Sequence, residues 1–208
     1  MKLDIFLVGV GGQGILTIGE LISEAAHRQS IPVNFFPSKG MAQRGGFVKA
    51  QLRLGRELVG PIIPERGADI VVAMELSESL KALRYIKANG DFVLFGECWE
   101  PTAVMLGKAP YPKVEEVKEQ VIKSGARLIY LDPDLLPKYE NHLVASNIYI
   151  LGALIQHTKL KQIITADLME EVMQSRWKRG VEANKVALHA GIQVEPETHQ
   201  IASTGVTA

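Results

Sequence analysis

Cysteine is nearly absent from this sequence, in which Cys98 is the single thiol among 208 residues. One thiol cannot form an internal disulfide, and it cannot supply the set of thiolates that an iron–sulfur cluster or a structural zinc ion requires. The five histidines are scattered and lack the H-x-x-x-H spacing of a helical zinc site. We therefore predict that the chain binds no metal ion of its own and that Cys98 is an ordinary small residue after a strand.

An excess of charge of either sign is also absent, because 23 lysines and arginines balance 23 aspartates and glutamates. Proteins that hold nucleic acid by its phosphates usually carry a basic excess, so nucleic acid is not expected as a partner. A chain without net charge is weakly protected against association. The balance is typical of a subunit that works within a complex.

Long apolar runs are missing as well, and none reaches the ~18 residues that a membrane-spanning helix needs. The amino terminus enters a strand directly, without the basic start, apolar run and small-residue cleavage site of a secretory signal. From these two absences we expect a soluble, cytoplasmic protein with no membrane partner.

The apolar residues that are present follow an α/β pattern. Residues 5–10 are continuously apolar, as in a strand buried on both faces, and residues 14–28 repeat apolar side chains at helical spacing. A second strand at 31–36 completes a strand–helix–strand unit. We predict a Rossmann-like, mostly parallel sheet flanked by helices, with a C-terminal helical segment. One domain would span residues 1–192, and the tail at 193–208 would be extended or disordered.

The remaining segments alternate between strand and helix signals. Polar and apolar residues alternate at 47–54, which predicts a half-buried strand that is antiparallel or at an edge. Residues 75–87 have the pattern of a helix, which Asn89 and Gly90 would stop. Prolines predict an irregular segment at 99–112. Further strands are expected at 68–74, 91–96 and 128–131, and further helices at 114–123, 146–156, 166–175 and 181–189.

A glycine loop follows the first strand, because residues 9–14 have the sequence GVGGQG and match G-x-G-x-x-G. Such glycines let backbone N–H groups approach an anion at the positive end of a helix, although they also permit plain strand–helix packing. An NAD or FAD site would add an acidic residue at the end of the second strand, and residues 34–39, NFFPSK, contain none. Lys39 could instead meet the extra phosphate of NADP, so that cofactor stays open.

A second glycine-rich loop, SKGMAQRGG, occupies residues 38–46. Loops at the carboxyl ends of neighbouring parallel strands line one crevice, so we expect this loop to meet the glycine loop. Lys39 and Arg44 would make the crevice positive, and Gln43 would add hydrogen-bonding capacity. The alternative is a solvated loop with ordinary turn glycines. The candidate binding residues are Gly11, Gly12, Gln13, Gly14, Lys39, Gln43 and Arg44.

Together the two glycine loops resemble the gamma domain of the 2-oxoacid:ferredoxin oxidoreductases, and most of all the indolepyruvate type. The similarity covers about residues 3–190. It includes PIIP at 61–64, the strand ADIVVA at 68–73, the pair YP at 111–112 and SNIYILGAL at 146–154. This sequence departs from the family pattern at Lys39, where the family often has His or Ser, and at Phe47, where small residues are common. The identity of the 2-oxo acid therefore stays open.

This resemblance implies a small subunit that is inactive alone. The complete enzyme oxidatively decarboxylates a 2-oxo acid, joins the acyl group to coenzyme A and passes electrons to ferredoxin. Thiamine diphosphate with Mg²⁺ and the iron–sulfur clusters would lie in a large alpha subunit, through which ferredoxin is reached. The chain agrees, since it has one cysteine and lacks the G-D-G and N-N pattern that holds thiamine diphosphate. Its candidate residues would position coenzyme A or shape the active-site entrance, and none would be an acid–base catalyst.

Two other functions stay open from the sequence: a stand-alone nucleotide-binding regulatory module and an NADP-dependent reductase. Two further side chains also stand out. Asn147 lies in an apolar helical segment, where a buried amide needs a partner in the backbone, a neighbouring helix or a ligand. Asp132 precedes a proline and is expected to cap a turn rather than to act as an acid or a base.

Overall fold

The computed structural model describes residues 1–39, 46–100, 102–108 and 110–200. The strands are β1 (Leu3–Val10), β2 (Val33–Lys39), β3 (Phe47–Leu54), β4 (Ala68–Glu75), β5 (Ile86–Glu97), β6 (Arg127–Leu131), β7 (Lys138–Tyr139), β8 (His142–Leu143) and β9 (Glu197–His199). The α-helices are α1 (Ile15–Arg28), α2 (Leu76–Ala82), α3 (Thr102–Met105), α4 (Val114–Lys123), α5 (Ser146–His157), α6 (Ala166–Arg176) and α7 (Val181–Gln193). Short 3-10 helices span Pro133–Leu135 and Lys159–Gln162.

One mixed sheet organises the described residues, with the strand order β2-β3-β1-β4-β5-β6-β9. Strands β1, β4, β5 and β6 run parallel to one another, whereas β9 pairs antiparallel with β6. The strand at 47–54 lies between β1 and β2 and is antiparallel to both. The predicted α/β class, the mostly parallel sheet and the antiparallel direction of β3 are therefore confirmed.

Strands β1 and β2 run in the same direction but are not neighbours in the sheet. The sequence-based prediction that they are neighbouring parallel strands was therefore wrong. β3 returns between β1 and β2 because the connection from Lys39 to Phe47 is too short for the crossover that a parallel neighbour needs. The edge strand β2 also begins later and ends later than the predicted 31–36. Its Pro37 is tolerated because an edge strand can leave one N–H position unpaired.

Two apolar cores lie on the two faces of the sheet. Helices α1, α5, α6 and α7 cover one face, where the side chains of Ile5, Leu7 and Leu52 are fully buried. Helices α2 and α4 cover the other face, over Phe6 and Phe92. Burying each of these large side chains contributes about 1.5–3 kcal/mol, so the two layers hold β1 from both sides. The continuous apolar sequence of β1 follows from this burial.

The predicted helix at 75–87 is shorter in the structure. Helix α2 ends at Ala82, and β5 already begins at Ile86, which pairs with Ala68. Asn89 adopts a positive φ of 60° at a register shift within β5, so Asn89 and Gly90 form part of this irregular strand instead of ending a helix. Burial of Ile86 against the core outweighs the local helical pattern.

The C-terminal helical segment is confirmed, and two glycines bring α5 and α7 into close contact. A Cβ atom at Gly152 would collide with the carbonyl of Leu188, and one at Gly191 would collide with the carbonyl of Tyr149. Beyond α7, β9 pairs with β6 within the region assigned to an extended or disordered tail. The domain boundary at 192 stays a prediction. Among the described residues, no helix is both long and apolar enough to cross a membrane.

Candidate functional site

The glycine loop lies at the carboxyl edge of the sheet, between β1 and α1. The N–H of Gly11 donates a hydrogen bond to the carbonyl of Gly46 over 2.8 Å. Gly46 directly precedes β3, and the start of β3 pairs with the end of β1. Strand β2 ends at Lys39 on the same edge. The two ends of the second glycine-rich loop therefore meet the edge that carries the glycine loop, although its residues 40–45 lie outside the described residues.

Most glycines of the G-x-G-x-x-G motif are required by contacts within the chain. A Cβ atom at Gly9 would lie 2.6 Å from the Oε1 atom of Gln13, and one at Gly14 would collide with the side chain of Asn147. Gly14 also has a φ of 75°, a left-handed conformation that favours glycine at this helix cap. Gly12 differs, since its φ is 109° and a Cβ atom there would face open space. Gly12 is therefore the position in the loop whose backbone faces open space.

Gln13 fastens the glycine loop to the adjacent strands. Its Oε1 atom accepts the N–H of Val10 at 2.9 Å, and its Nε2 atom donates to the carbonyl of Met74 at 3.1 Å. The same Nε2 atom donates to the carboxylate of Glu97 at 2.7 Å. Because both amide hydrogens are engaged, the buried Gln13 side chain fixes the loop rather than offering a free donor to a ligand.

The first turn of α5 faces the glycine loop across an open cavity of about 400 Å³. The cavity is lined by Gly12, Gln13, Gly14, Glu97, Trp99, Val144, Ala145, Ser146 and Asn147. The Nδ2 atom of Asn147 donates to the carbonyl of Gly14 at 3.3 Å, and its Oδ1 atom accepts the N–H of Ile148. The amide of Asn147 therefore finds its partners in the backbone, and it joins α5 to the glycine loop.

A buried carboxylate lies beside this cavity, at the end of β4. Glu75 is fully buried and caps α2, because its Oε2 atom accepts the N–H of Glu78 at 2.7 Å and the hydroxyl of Ser77 at 2.8 Å. Its Oε1 atom accepts the hydroxyl of Tyr111 and the N–H of Trp99. Burial, together with the hydrogen bond to Glu75 and its negative charge, raises the pKa of Tyr111 far above its usual range. Tyr111 therefore remains a proton donor to Glu75 at physiological pH.

Negative charge lines the part of this edge that the structure describes. Glu75 and Glu97 occupy paired positions on β4 and β5, and Glu97 lines the cavity. The positive charge expected of the crevice was assigned to Lys39 and Arg44. Lys39 ends β2 on the same edge, whereas Gln43 and Arg44 lie outside the described residues. The N-termini of α1 and α5 both point toward the cavity and favour negative charge there, and Glu97 already supplies a carboxylate.

Sequence reasoning missed the two glutamates, which no motif marks. Each one does, however, stand at the end of a predicted buried strand, since Glu75 follows 68–74 and Glu97 follows 91–96. Polar residues at carboxyl ends of parallel strands are candidates for a site in any open α/β sheet. Asp132 behaves as predicted and accepts the N–H of Asp134 at the start of a 3-10 helix. Among the described residues, no group of three His, Cys, Asp or Glu side chains could hold a metal ion.

Comparison with protein families gives one match that covers nearly the whole chain. The model of the family described as pyruvate ferredoxin/flavodoxin oxidoreductase matches residues 4–194. The indolepyruvate oxidoreductase subunit IorB of Archaeoglobus fulgidus is 33% identical over 92% of this chain and 94% of its own. The subunit IorB of Thermococcus kodakarensis is 31% identical over 93% and 96%. The pyruvate/ketoisovalerate oxidoreductases common subunit gamma of Pyrococcus abyssi is 26% identical over 77% and 80%.

Solved structures share the fold. The pyruvate oxidoreductase subunit PORC of Thermotoga maritima superposes with a TM-score of 0.68 at 20% identity, over 96% of this chain and 99% of that chain. A chain of the 2-oxoglutarate:ferredoxin oxidoreductase of Magnetococcus marinus superposes with a TM-score of 0.66 at 22% identity. The match covers 92% of the present chain and 30% of the Magnetococcus chain, so there the same fold is one part of a longer polypeptide.

Proposed function

The chain belongs to the pyruvate ferredoxin/flavodoxin oxidoreductase family, and we propose that it is the small subunit of an indolepyruvate-type 2-oxoacid:ferredoxin oxidoreductase. One observation carries this proposal: identity of about one third with the IorB subunits extends over more than nine tenths of both chains. Identity with the pyruvate/ketoisovalerate gamma subunit is lower and covers less of the chain. This difference favours an aryl 2-oxo acid as the substrate of the complex.

The reaction of the complex converts a 2-oxo acid and coenzyme A into an acyl-CoA and carbon dioxide. The two electrons that leave the substrate reduce ferredoxin, one electron at a time. In the complex, thiamine diphosphate with Mg²⁺ would supply the decarboxylation chemistry, and iron–sulfur clusters would carry the electrons. A cluster requires several cysteine thiolates, and this chain has one cysteine, so the large alpha subunit would hold these groups and contact ferredoxin.

The contribution of this chain is to position groups at the active-site entrance. The residues proposed for that surface are Gly11, Gly12, Gly14, Lys39, Gln43 and Arg44, and Gln13 supports them from within the loop without a free donor of its own. The glycine loop is held rigidly by Gln13 and Asn147 and leaves Gly12 open toward the cavity. Glu97 repels phosphate at that point, so Lys39 and Arg44 are the groups that match the phosphates of coenzyme A. None of these residues is proposed to act as an acid or a base.

Anaerobic reconstitution tests this function. The purified chain, the purified large subunit and the two together are assayed for ferredoxin reduction that depends on indolepyruvate and coenzyme A. Turnover is expected from the combination, with none from the small chain alone. As a second test, the affinity-tagged chain is purified from anaerobic extract. A large thiamine-binding iron–sulfur protein should be recovered with it.

Three results would contradict the proposal. Oxidation of NADPH by the isolated chain would make it a reductase, and tight binding of a mononucleotide by the isolated chain would make it a regulatory module. Absence of any stable complex with the large subunit would also contradict the proposed role.

A further inference from the structure

The sheet face beneath α2 is covered unevenly. Helix α2 packs over β1 and β4 on this face, and residues 55–64 cover the amino half of β2 and the adjacent carboxyl half of β3. That cover is fastened by the N–H of Ile63, which donates to Gln51 at 2.6 Å, and by Asn34, which donates to the carbonyl of Val59 at 3.3 Å. Nearer the carboxyl edge, Phe36 remains 41% exposed.

A groove of about 400 Å³ opens on this face between β3 and α2. We call it the Lys49 groove and define it by Phe47, Lys49, Leu80, Lys81, Arg84 and Tyr85, with Phe6 at its floor. Three of its side chains are cationic, and none of the residues that line it is acidic. The chain as a whole carries equal numbers of positive and negative side chains, so this is a local concentration of positive charge.

The cations of the Lys49 groove are poorly neutralised by the chain itself. Among the described residues, Lys49 has no ion-pair partner within 4.0 Å. Arg84 is 63% exposed, and its guanidinium lies 3.9 Å from the carboxylate of Glu65, which is a long distance for an ion pair. Lys81 forms a closer pair with Glu78 at 2.6 Å, but its own side chain is 58% exposed. The pair of Arg84 with Glu65 is exposed on both sides and contributes little, so an external carboxylate could replace it at low cost. Lys81 can keep the mostly buried Glu78 and still present its exposed ammonium to a second carboxylate.

The groove also exposes apolar surface between these charges. Leu80 is 38% exposed, and Phe36 on the neighbouring strand faces the same side as Lys49, because Phe36 pairs with Gln51, two residues further along β3. Aromatic and aliphatic surface bordered by cations is typical of the centre and rim of a protein interface. The surface therefore fits a segment that presents an apolar side chain between carboxylates.

A nucleotide base fits less well, because the ring faces are already in contact. Tyr85 stacks on Phe6 with ring centroids 4.1 Å apart, and Arg84 lies 5.1 Å from the Tyr85 ring. Lys81 lies 4.9 Å over the ring of Phe47. A base could stack only after displacing these cations, whereas carboxylates could bind them where they stand.

The groove is continuous with the candidate site. Phe47 directly follows Gly46, whose carbonyl accepts the N–H of Gly11 in the glycine loop. A protein that covers the active-site edge would therefore reach the groove without a gap. We propose that the Lys49 groove docks an acidic segment of the large partner subunit, which inserts an apolar side chain between Leu80 and Phe36; this proposal rests on the proposed function.

Lysine footprinting of the reconstituted complex tests the docking. The free chain and its complex with the purified large subunit are acetylated under identical conditions, and each lysine is quantified by mass spectrometry. We expect loss of acetylation at Lys49 and Lys81 in the complex. Lys123 on α4, which is 65% exposed, serves as the matched control and should react equally in both states.

Charge reversal gives an independent readout. Arg84→Glu, alone and combined with Lys49→Glu, should raise the Kd for the large subunit about tenfold or more, with the largest effect at low salt. Lys123→Glu should leave that Kd unchanged. The single variant at the exposed Arg84 guards against misfolding of the double variant, and circular dichroism checks both.

The outcomes separate the two proposals. If the wild-type chain forms no complex with the large subunit, the proposed function fails and the docking fails with it. If the complex forms while Lys49 and Lys81 react freely and the reversed variants bind normally, only the docking is wrong. If coenzyme A alone protects Lys49 in the isolated chain, the groove binds a small anion and the docking is overturned.

Discussion

Glu75 and Glu97 lie opposite each other on the adjacent parallel strands β4 and β5, yet different parts of the chain hold their carboxylates. Glu75 accepts its hydrogen bonds from the start of α2 and from Tyr111, whereas Glu97 accepts the side chain of Gln13. Two acids at one edge would repel each other without such donors. The pair therefore ties the glycine loop, α2 and the segment after β5 to one edge of the sheet.

The contact between Gln13 and Glu97 should be measurable as a coupling energy. Gln13→Ala removes three hydrogen bonds at once, and Glu97→Ala removes the carboxylate that one of them meets. In a double-mutant cycle followed by urea unfolding, we expect a coupling energy of about 1–2 kcal/mol. A second cycle with the distant Lys123→Ala should be additive. Additivity in both cycles would show that the Gln13–Glu97 contact does not stabilise the loop.

Loss of the Tyr111 hydroxyl should destabilise the chain. Tyr111→Phe leaves the buried Glu75 carboxylate with one donor fewer, so the free energy of unfolding should fall by about 1–3 kcal/mol. Tyr130→Phe is the control, since within the described residues the Tyr130 hydroxyl has no hydrogen-bond partner, and it should unfold at nearly the wild-type urea concentration. Equal stability of the two variants would contradict the prediction.

The amino edge of the sheet carries a buried ion network that should matter for stability alone. Asp4 is 2% exposed and accepts hydrogen bonds from both Arg53 and Arg56. Asp4→Asn leaves two guanidinium groups without their carboxylate, so we expect a loss of about 3 kcal/mol in urea unfolding. Glu119→Gln, in an exposed pair with Lys123, should change little.

The same Asp4 variant also separates stability from function. Because Asp4 lies at the start of β1, at the edge opposite the glycine loop, kcat of the assembled enzyme should remain at its wild-type value. A selective loss of kcat in a well-folded complex would contradict this assignment.

Acid should destabilise the chain partly through His157. Burial lowers the pKa of His157 below its ordinary value of 6.5; the hydrogen bond that its Nε2 atom donates to Val194 opposes this, and Arg127 and Lys161 lower the pKa further. The folded state then favours the neutral ring, so the unfolded state binds more protons as the pH falls. The stability that the neutral His157 ring contributes to the folded state is fully present above about pH 6.5, and it is lost as the pH falls through the lowered pKa.

The variant His157→Gln keeps a side-chain donor and cannot titrate. Its free energy of unfolding should therefore decline less than that of the wild type between about pH 7 and pH 5. The exposed Gln156→Ala, next to His157 in α5, removes no titratable group and serves as the control, which should follow the wild-type slope. Parallel slopes for all three proteins would exclude His157 as a source of the acid sensitivity.

The cations assigned to the second glycine-rich loop should affect coenzyme A and leave the fold intact. In the reconstituted enzyme, Arg44→Ala should raise the KM for coenzyme A about tenfold, because a charge-assisted hydrogen bond contributes about 1.5–3 kcal/mol. Lys39→Ala should act in the same direction. The Tm of the isolated chain should not change in either variant. Unchanged KM values would remove this loop from the handling of coenzyme A.

The sequence predicted the elements whose burial is complete and whose pattern is local. Strand β3 was predicted with its observed bounds, and the amphipathic helix α4 at 114–123 also matches. Predictions failed where a contact distant in sequence decided the secondary structure. Ile86 was predicted to lie near the end of a helix, but it pairs with Ala68 and begins a strand. The β7–β8 hairpin was not predicted either, because its short strands have no buried face to create a pattern.

By itself the sequence determined the α/β class, the position of the glycine loop after β1 and the family, because those depend on local apolar periodicity and on the order of motifs along the chain. Only the tertiary structure decided that β3 lies between β1 and β2, that Gln13 is bound to Glu97, and that Asn147 meets the carbonyl of Gly14. These contacts join residues up to 133 positions apart, and no local pattern encodes which partner a buried amide or carboxylate will find.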